Sequence, residues 1–197
     1  PPATRLELLV KMLRRSISQY KNTNKIAAEK YEELLKKTLD EYHKRRDNLT
    51  AEEATKTQTE TIDEIIKSAT EQALKILSEL GEDKESFRKL GLSFQEKAFY
   101  DILIALRDKY NFVFGEDRKV GNLIVNDKCK TLAKKIKELI DTQSSFADWL
   151  NNTNIRGDLN KKLFILLATN GYPPQYNDDV FDEVMEQVEN FKSHANE

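Results

Sequence analysis

The sequence is organised around one stretch, Gly91-Leu92-Ser93-Phe94-Gln95-Glu96-Lys97-Ala98-Phe99-Tyr100-Asp101. Gly91 can end a preceding segment because glycine adopts left-handed backbone conformations at low steric cost. Ser93 is a favourable helix N-cap, and Glu96, three residues later, completes a capping box. This pattern predicts that a helix begins directly after Ser93.

The helix that begins here carries an unusual load of apolar and aromatic side chains. They recur at helical spacing and comprise Phe94, Ala98, Phe99, Ile102, Leu103, Leu106 and Tyr110. Because each buried Phe or Leu stabilises a fold by roughly 1.5–3 kcal/mol, we expect this helix at the centre of the fold. The stretch predicts a structural centre and no chemistry.

The composition indicates an all-α protein, a helical bundle with a real hydrophobic core. The chain has 197 residues, of which 39% are hydrophobic and 34% charged, with only 6 Gly and 4 Pro. That length suits one domain, or one domain with an appendage. The formal net charge is -2, so the whole molecule has no nucleic-acid signature and a basic site would depend on local clustering.

Cysteine usage and hydropathy restrict the environment. Cys129 is the single cysteine, so an intrachain disulfide is excluded and the chain fits a reducing cytoplasm. No apolar run approaches the roughly 20 residues of a membrane span, and we expect an amphipathic helix directly after residues 1–4 in place of a signal peptide. A start at Pro1 instead of Met favours a fragment of a longer protein.

The first 80 residues are predicted to form a helix followed by a long antiparallel helical hairpin. Capping boxes at Thr4/Glu7 and Thr50/Glu53 predict helix starts, residues 47–50 a break, and Gly81 a stop. The hairpin covers residues 24–80, and its last helix carries a coiled-coil seam of Ile62, Ile66, Ala69, Ala73, Ile76 and Leu80. The polar tip at residues 44–60 either projects as a functional element or, as we favour, is ordinary solvated helix.

The second half is predicted to contain three more helices and no strand. Residues 82–90 are a charged connector, and residues 111–122, with Gly115 and Gly121, form a loop. Helices follow at about 123–141 and 154–169, the second ending at Asn170-Gly171, although Gly157 allows a start only at Asp158. Asn177 or Asp178 is expected to cap the last helix.

A search for catalytic or metal-binding constellations finds none. The sequence has no phosphate-binding glycine loop, no H-E-x-x-H motif and no paired Cys or His. His43 and His194 are expected at the surface, and Cys129 on a buried helix face. Carboxylates such as Glu52-Glu53 and Asp178-Asp179 are explained by helix starts, and Glu82-Asp83-Lys84 lacks the strands that a nuclease E-x-K motif needs.

Basic clusters are the candidate binding features. Lys130, Lys134 and Lys137 form a stripe at i, i+4 and i+7, flanked by Lys128 and Lys135. The other groups are Arg156, Lys161 and Lys162, and Lys44-Arg45-Arg46. Residues alone favour a solvated face over DNA contact. For Trp149, the only Trp, they favour a core position beside the last two helices over a base-stacking platform.

Two separated motifs give the chain a resemblance to a known family. Residues 91–101 resemble the G-L-[ST]-x-E-E-x-A-F-Y-D segment in the C-terminal helical domain of type I restriction endonuclease motor subunits. Asp148-Trp149, Arg156, Leu159 and Gly171-Tyr172-Pro173-Pro174 resemble that domain's later D-W, R-x-x-L and G-Y-P-P pattern. The resemblance covers roughly residues 80–190, so residues 1–80 are interpreted as a helical arm or linker from the motor part and residues 81–197 as the C-terminal helical domain.

The resemblance implies a parent that is an ATP-dependent DNA translocase and nuclease using ATP and magnesium through motifs outside this segment. It also implies partners, namely the methyltransferase and specificity subunits and double-stranded DNA. Our leading hypothesis is a monomeric, non-catalytic assembly module with neither catalytic nor metal-binding residues. A linked hypothesis adds DNA contact through Lys130, Lys134, Lys137, Arg156, Lys161 and Lys162. The rivals are a free-standing or self-associating helical scaffold and an enzyme assembled from distant carboxylates or tyrosines.

Overall fold

The computed structural model describes residues 1–55, 61–143 and 152–194, with side chains described outside residues 50–55. Its helices are α1 Pro2–Lys21, α2 Lys25–Thr55, α3 Ile62–Lys89, α4 Phe94–Tyr110, α5 Asp127–Asp141, α6 Thr153–Thr169 and α7 Asn177–Ser193. Strands β1 Asp117–Val120 and β2 Leu123–Asn126 and a short 3-10 helix, Pro174–Tyr176, complete the described elements. The expected all-α class is confirmed.

The chain forms two compact units. The first consists of residues 1–21 and 27–85, and the second of residues 22–26 and 86–197. Each has its own hydrophobic cluster of buried side chains.

The first unit contains the predicted antiparallel hairpin. Near the start of α2, the Tyr31 hydroxyl donates to Asp83 Oδ2 at 2.7 Å, and farther along α2, Arg45 Nη1 donates to Ser68 Oγ at 3.0 Å. Since residues farther along α2 meet residues earlier in α3, the two helices run in opposite directions. The predicted seam is buried from Ile66 onward, whereas Ile62 is exposed and the neighbouring Ile65 is buried in its place.

Two predicted helix starts in the first unit are wrong. Helix α2 continues through residues 47–50 to Thr55, so no helix begins at Thr50 and residues 52–53 lie near a helix end. The capping box that begins α3 is Thr61/Glu64, in which each backbone N–H donates to the other side chain at 3.2 Å. Asp, Asn and Thr each lower helix propensity by less than about 1 kcal/mol, so a helix can continue through them.

Helix α1 begins at Pro2, which places Thr4 inside its first turn and removes the predicted Thr4/Glu7 start. The Arg5 N–H donates to the Pro1 carbonyl at 3.1 Å. Proline suits the first helical position because its missing N–H would have no partner there. The favourable first residue therefore overrides the capping signal two residues later.

The predicted stop at Gly81 and connector at 82–90 are also wrong, because α3 runs through Gly81 to Lys89. Glycine inside a helix costs only about 1 kcal/mol. The helix ends instead at Gly91, whose φ is +67°. The Leu92 N–H donates to the Phe87 carbonyl at 2.9 Å and the Gly91 N–H to the Arg88 carbonyl at 3.1 Å, the bonding pattern of a Schellman ending.

Helix α4 is central to the core of the second unit, whereas the sequence predicted it at the centre of the whole fold. Its buried face packs on α5 and α7 and includes Ala98, Phe99, Ile102, Leu103 and Leu106. Phe94 remains 44% exposed, although its ring contacts Phe191 edge to face at 5.8 Å. The apolar face predicted for α4 is therefore confirmed except at its first residue.

The expectation of no strand is wrong. Strands β1 and β2 pair antiparallel, with Val120 opposite Leu123, so the predicted loop 111–122 contains a strand and the predicted helix 123–141 begins only at Asp127. The two residues between the strands are Gly121, at φ +61°, and Asn122. Glycine in the left-handed region suits a two-residue hairpin turn.

The C-terminal helices lie near their predicted positions. Helix α6 contains Gly157 and begins at Thr153, capped by Asn152, so the later start at Asp158 is wrong. It ends at Gly171, whose φ is +77°, as expected. Helix α7 begins at Asn177 without a side-chain cap because the 3-10 turn leads directly into it. The predicted positions of Asp148-Trp149 and the hairpin tip at 56–60 lie outside the described residues.

Candidate docking and nucleic-acid interface

The first motif begins the central helix by a reciprocal cap. The Glu96 N–H donates to Ser93 Oγ at 3.1 Å, and the Ser93 N–H donates to Glu96 Oε1 at 2.8 Å. These bonds satisfy backbone donors that a helix N-terminus leaves without partners. Ser93 and Glu96 therefore stabilise the start of α4.

The motif's last charged residues form a polar network at the α1–α2 turn. Lys97 is only 7% exposed and pairs with the Asp101 carboxylate one turn later. Asp101 Oδ2 also accepts from Asn24 Nδ2 at 2.6 Å, and Asn24 is 2% exposed. Paired and hydrogen-bonded charges are the kind that can be buried, so this network fixes residues 22–26 on α4.

The next residue along the turn is held by α7. The Lys25 backbone N–H donates to Gln187 Oε1 at 2.9 Å. The Lys25 ammonium lies 2.7 Å from Glu186 and 3.5 Å from Glu183. The turn is thus bonded to two helices of the second unit through both its backbone and its side chains.

Asn126 is the organising polar residue of the second unit, and the sequence analysis missed it. It is fully buried. Its Nδ2 donates to the Phe114 carbonyl at 2.7 Å, its Oδ1 accepts from the Cys129 N–H at 2.9 Å, and its own N–H donates to the Tyr100 hydroxyl at 3.1 Å. The Asn126 side chain thereby caps α5 and joins it to the preceding loop, and the Asn126 backbone joins it to α4. The available signal was Asn three residues before Cys129, a normal N-cap spacing.

The G-Y-P-P motif is also part of the core. Tyr172 is fully buried and donates its hydroxyl to the Leu103 carbonyl at 3.0 Å, and burial raises the pKa of its phenol. Beside it, the Tyr176 ring stacks on Tyr110 at 4.3 Å and on Phe112 at 5.1 Å. Both motifs of the resemblance, where the structure describes them, consist of residues that build the fold.

The predicted lysine stripe lies on α5, where two of its three members have carboxylate partners. Lys137 Nζ lies 2.6 Å from Asp141 Oδ1, and Lys130 Nζ lies 4.0 Å from Asp127 Oδ1. Lys134 is exposed and forms no ion pair with the residues that the structure describes. Intrahelical pairing reduces the net positive charge that the stripe presents.

The basic group on α6 also contains both cations that have a carboxylate partner and one that has none among the described residues. Lys162 pairs with Asp158 at 3.0 Å and Arg156 with Glu189 at 3.9 Å. Lys161 is exposed and forms no ion pair within the described part of the chain. Helices α5 and α6 pack on each other, so the two predicted groups belong to neighbouring helices.

Four of the other predicted cations have structural contacts, and Lys44 is exposed. Lys135 donates to Asn170 Oδ1 at 2.8 Å, and the Lys128 ammonium lies 5.5 Å from the centre of the Phe114 ring. In the Lys44-Arg45-Arg46 group of the first unit, Arg45 donates to Ser68 at 3.0 Å, and Arg46 lies over the Tyr42 ring. These four side chains stabilise helix packing through the contacts they make.

The side chains considered as candidates for chemistry lie in different surroundings. Burial raises the pKa of the Cys129 thiol to about 12, so it is protonated near neutral pH. Asp83 lies on helix α3, not on a strand, and accepts from the hydroxyls of Tyr20 and Tyr31. His43 is exposed and His194 partly buried. Within residues 1–55, 61–143 and 152–194, no group of three or more His, Cys, Asp or Glu side chains is arranged to hold a metal ion.

Helix length and hydropathy give one further finding. None of the helices, over the part of the chain that the structure describes, is both long and apolar enough to cross a bilayer.

The described geometry places the chain in the class of all-α proteins. Its motif residues cap helices, pack in the core and form buried polar bonds. The chain belongs to the family of C-terminal domains described as type I restriction enzyme HindI endonuclease subunit-like, whose model matches residues 1–194. The family suggested by the two motifs is thus confirmed, and the match extends over the first 80 residues, for which the sequence analysis had no motif. Comparisons with curated proteins and with solved structures gave no match.

Proposed function

We propose that this chain is a non-catalytic assembly module at the C-terminal side of a type I restriction endonuclease subunit. In this role it holds the ATP-dependent motor to the methyltransferase and specificity subunits. The family match to an endonuclease subunit supports membership of such a complex, and the docking role is our extension of it. ATP and magnesium act, in this proposal, in other parts of the parent polypeptide.

The observation that carries the proposal is how the motif residues are used. Ser93, Lys97 and Asp101 cap a helix or fix the α1–α2 turn, and Tyr172 donates to a main-chain carbonyl inside the core. A structural role for these side chains supports a function in which the motif holds the fold together. These side chains hold the helices of the second unit together, which suits a surface that other subunits bind.

We further propose that this module contacts double-stranded DNA through Lys130, Lys134, Lys137, Arg156, Lys161 and Lys162. The packing of α5 on α6 supports the proposal because it brings the two helices that carry them side by side. Lys134 and Lys161 are the strongest contributors, since they are exposed and form no ion pair with described residues. The paired cations contribute less because a carboxylate already balances each charge.

Deletion of residues 1–197 from the full-length endonuclease subunit tests the assembly role. We expect the truncated subunit to lose co-purification with the methyltransferase and specificity subunits while ATP hydrolysis by the motor persists. Unchanged complex formation would contradict the docking role. Turnover of ATP or DNA by this segment alone would contradict its non-catalytic character.

Sedimentation of the 197-residue chain tests the alternative of a self-associating scaffold. We expect a monomer, since the proposed binding surfaces serve other subunits. A concentration-dependent dimer that persists when the subunit enters the complex would favour the scaffold instead.

A further inference from the structure

Among the helices whose side chains the structure describes in full, α1 has the largest excess of basic over acidic residues. Its only carboxylate is Glu7, and its cations are Arg5, Lys11, Arg14, Arg15 and Lys21. Lys21 pairs with Glu32 on α2 at 2.6 Å. The other four cations are exposed, and none forms an ion pair with a described residue. They differ in this from Lys130 and Lys137 of α5 and from Arg156 and Lys162 of α6, which have carboxylate partners.

Two large apolar side chains lie among these cations. Leu8 is 57% exposed and Met12, one turn later, is 60% exposed. Helix α1 buries Leu6, Leu13, Ile17 and Tyr20 on its other side. At 100° per residue, Leu8 and Met12 fall between Arg5 and Arg15, Leu8 nearly opposite the buried side and Met12 closer to its edge. We call the surface formed by Arg5, Leu8, Lys11, Met12 and Arg15 the α1 outer face.

The composition of the α1 outer face distinguishes its partner. A nucleic-acid backbone would attract the cations but would leave Leu8 and Met12 in contact with phosphates and water. A protein surface with an apolar centre can cover both side chains, and carboxylates around that centre can pair with Arg5 and Arg15. Met and Arg are also enriched in protein–protein interfaces, whereas Lys is depleted.

We infer that the α1 outer face docks an acidic-rimmed apolar surface on another protein subunit of the restriction complex. Leu8 and Met12 form the apolar centre of the contact, and Arg5, Lys11 and Arg15 form its charged rim. The inference rests on the proposed assembly function and names one surface that performs it. The occupant is identified by charge and apolar complementarity.

Paired variants of the full-length endonuclease subunit test the inference. Leu8→Ala/Met12→Ala removes the apolar centre, and Arg5→Glu/Arg15→Glu reverses the rim. The matched control is Leu74→Ala/Lys75→Glu on α3, because Leu74 is 48% exposed, Lys75 is exposed and both belong to the same unit. Binding of each variant to the other subunits of the complex is measured without DNA, at several salt concentrations.

We expect each α1 variant to weaken subunit binding at least tenfold, as loss of central interface residues does, while the control stays within about twofold. The rim variant should lose most at low salt, since screening weakens charge pairs. Wild-type-like binding by both α1 variants, in a subunit whose deletion of residues 1–197 abolishes assembly, would overturn this inference and leave the assembly function standing. Loss of duplex DNA binding with intact subunit binding would identify a nucleic-acid surface instead.

A photo-crosslinking residue at position 12 identifies the neighbour directly. We expect a crosslinked product that contains the endonuclease subunit and a different subunit of the complex. A crosslink within the endonuclease subunit's own chain would overturn the inference, because the face would then be covered by the parent polypeptide. A crosslink to DNA would overturn it as well.

Discussion

Gly115 and Asn126 approach each other so closely that a side chain at position 115 has no room. A Cβ atom on Gly115 would lie 2.7 Å from Asn126 Oδ1, closer than such atoms pack. Gly115 also has φ +65°, a conformation that L-residues with side chains adopt at a cost. Because Gly115 has no side chain, the Asn126 amide has room to bond the loop carbonyl of Phe114 and the first turn of α5.

Gly115→Ala is therefore expected to destabilise the chain by at least about 2 kcal/mol, since backbone strain adds to displacement of a buried amide. Gly121→Ala is the matched control because Gly121 has φ +61° but no atom within 4 Å of its Cβ position. The control should cost about 1 kcal/mol from backbone conformation alone. Denaturant unfolding measures both values, and equal losses would show that the Asn126 contact adds nothing.

Asp101→Asn is expected to destabilise the fold by about 3 kcal/mol. The change keeps an acceptor for Asn24 but removes the charge that pairs with Lys97, whose side chain is only 8% exposed. Lys97 would lose the carboxylate that offsets much of the cost of burying its charge. The free energy of unfolding, measured by denaturant titration, reports the loss.

Asp158→Asn provides the control for this pair. The Lys162–Asp158 pair has the same i, i+4 spacing, but its side chains are 48% and 57% exposed. Exposed pairs contribute roughly 0–1 kcal/mol, so the control should lie below 1 kcal/mol. A comparable loss in both variants would mean that burial does not determine the strength of the Lys97–Asp101 pair.

The central helix could be predicted from sequence because all its signals are local. The Ser93/Glu96 box, the glycine before it and the apolar spacing lie within one stretch. The errors at Thr50 and Gly81 have the opposite cause. A capping residue or a glycine changes helix stability by about 1 kcal/mol, and the tertiary packing of α2 and α3 outweighs that amount.

The candidate interface was less predictable, because the positive charge that a basic side chain presents depends on whether a carboxylate lies beside it. The spacing of Lys130, Lys134 and Lys137 identified a stripe. The sequence did not show which of these lysines would form an ion pair with a carboxylate on the same helix. Arg156 pairs with Glu189 on another helix, and Asn24 bonds Asp101 across 77 residues of sequence. Contacts at that separation leave no periodic signal in a single sequence.

Cys129 predicts a measurable fall in stability at alkaline pH. Burial raises the pKa of its thiol from 9.0 to about 12. Between these values the unfolded chain releases the thiol proton while the folded chain retains it. The free energy of unfolding should therefore fall as pH rises above about 9, by at most roughly 1.4 kcal/mol per pH unit.

Comparison with Cys129→Ala isolates this contribution, because Tyr100 and Tyr172 titrate similarly in both proteins. Unfolding is measured by denaturant at pH 8.0, 9.0, 9.5 and 10.0. The difference between wild type and variant should be constant below pH 9 and shrink above it. A difference that is independent of pH throughout would contradict a buried, protonated thiol.

The proposed DNA contact predicts that two lysines matter more than two others of the same type. Lys134 and Lys161 are exposed without a described ion-pair partner, whereas Lys137 and Lys162 hold Asp141 and Asp158. Lys134→Gln/Lys161→Gln in the full-length subunit should lower the slope of log affinity for duplex DNA against log salt by up to about 1.8, since each phosphate contact contributes roughly 0.9.

Lys137→Gln/Lys162→Gln removes the same net charge and is the matched control. Its slope should change by less than half as much, because each removed cation already has a neutralising carboxylate and attracts fewer phosphates. Equal slope changes in the two variants would show that only total charge matters. Wild-type slopes in both variants would mean that α5 and α6 do not contact the DNA backbone. The proposed six-residue interface would then be wrong. The subunit-docking role of the module has its own test and would not be affected.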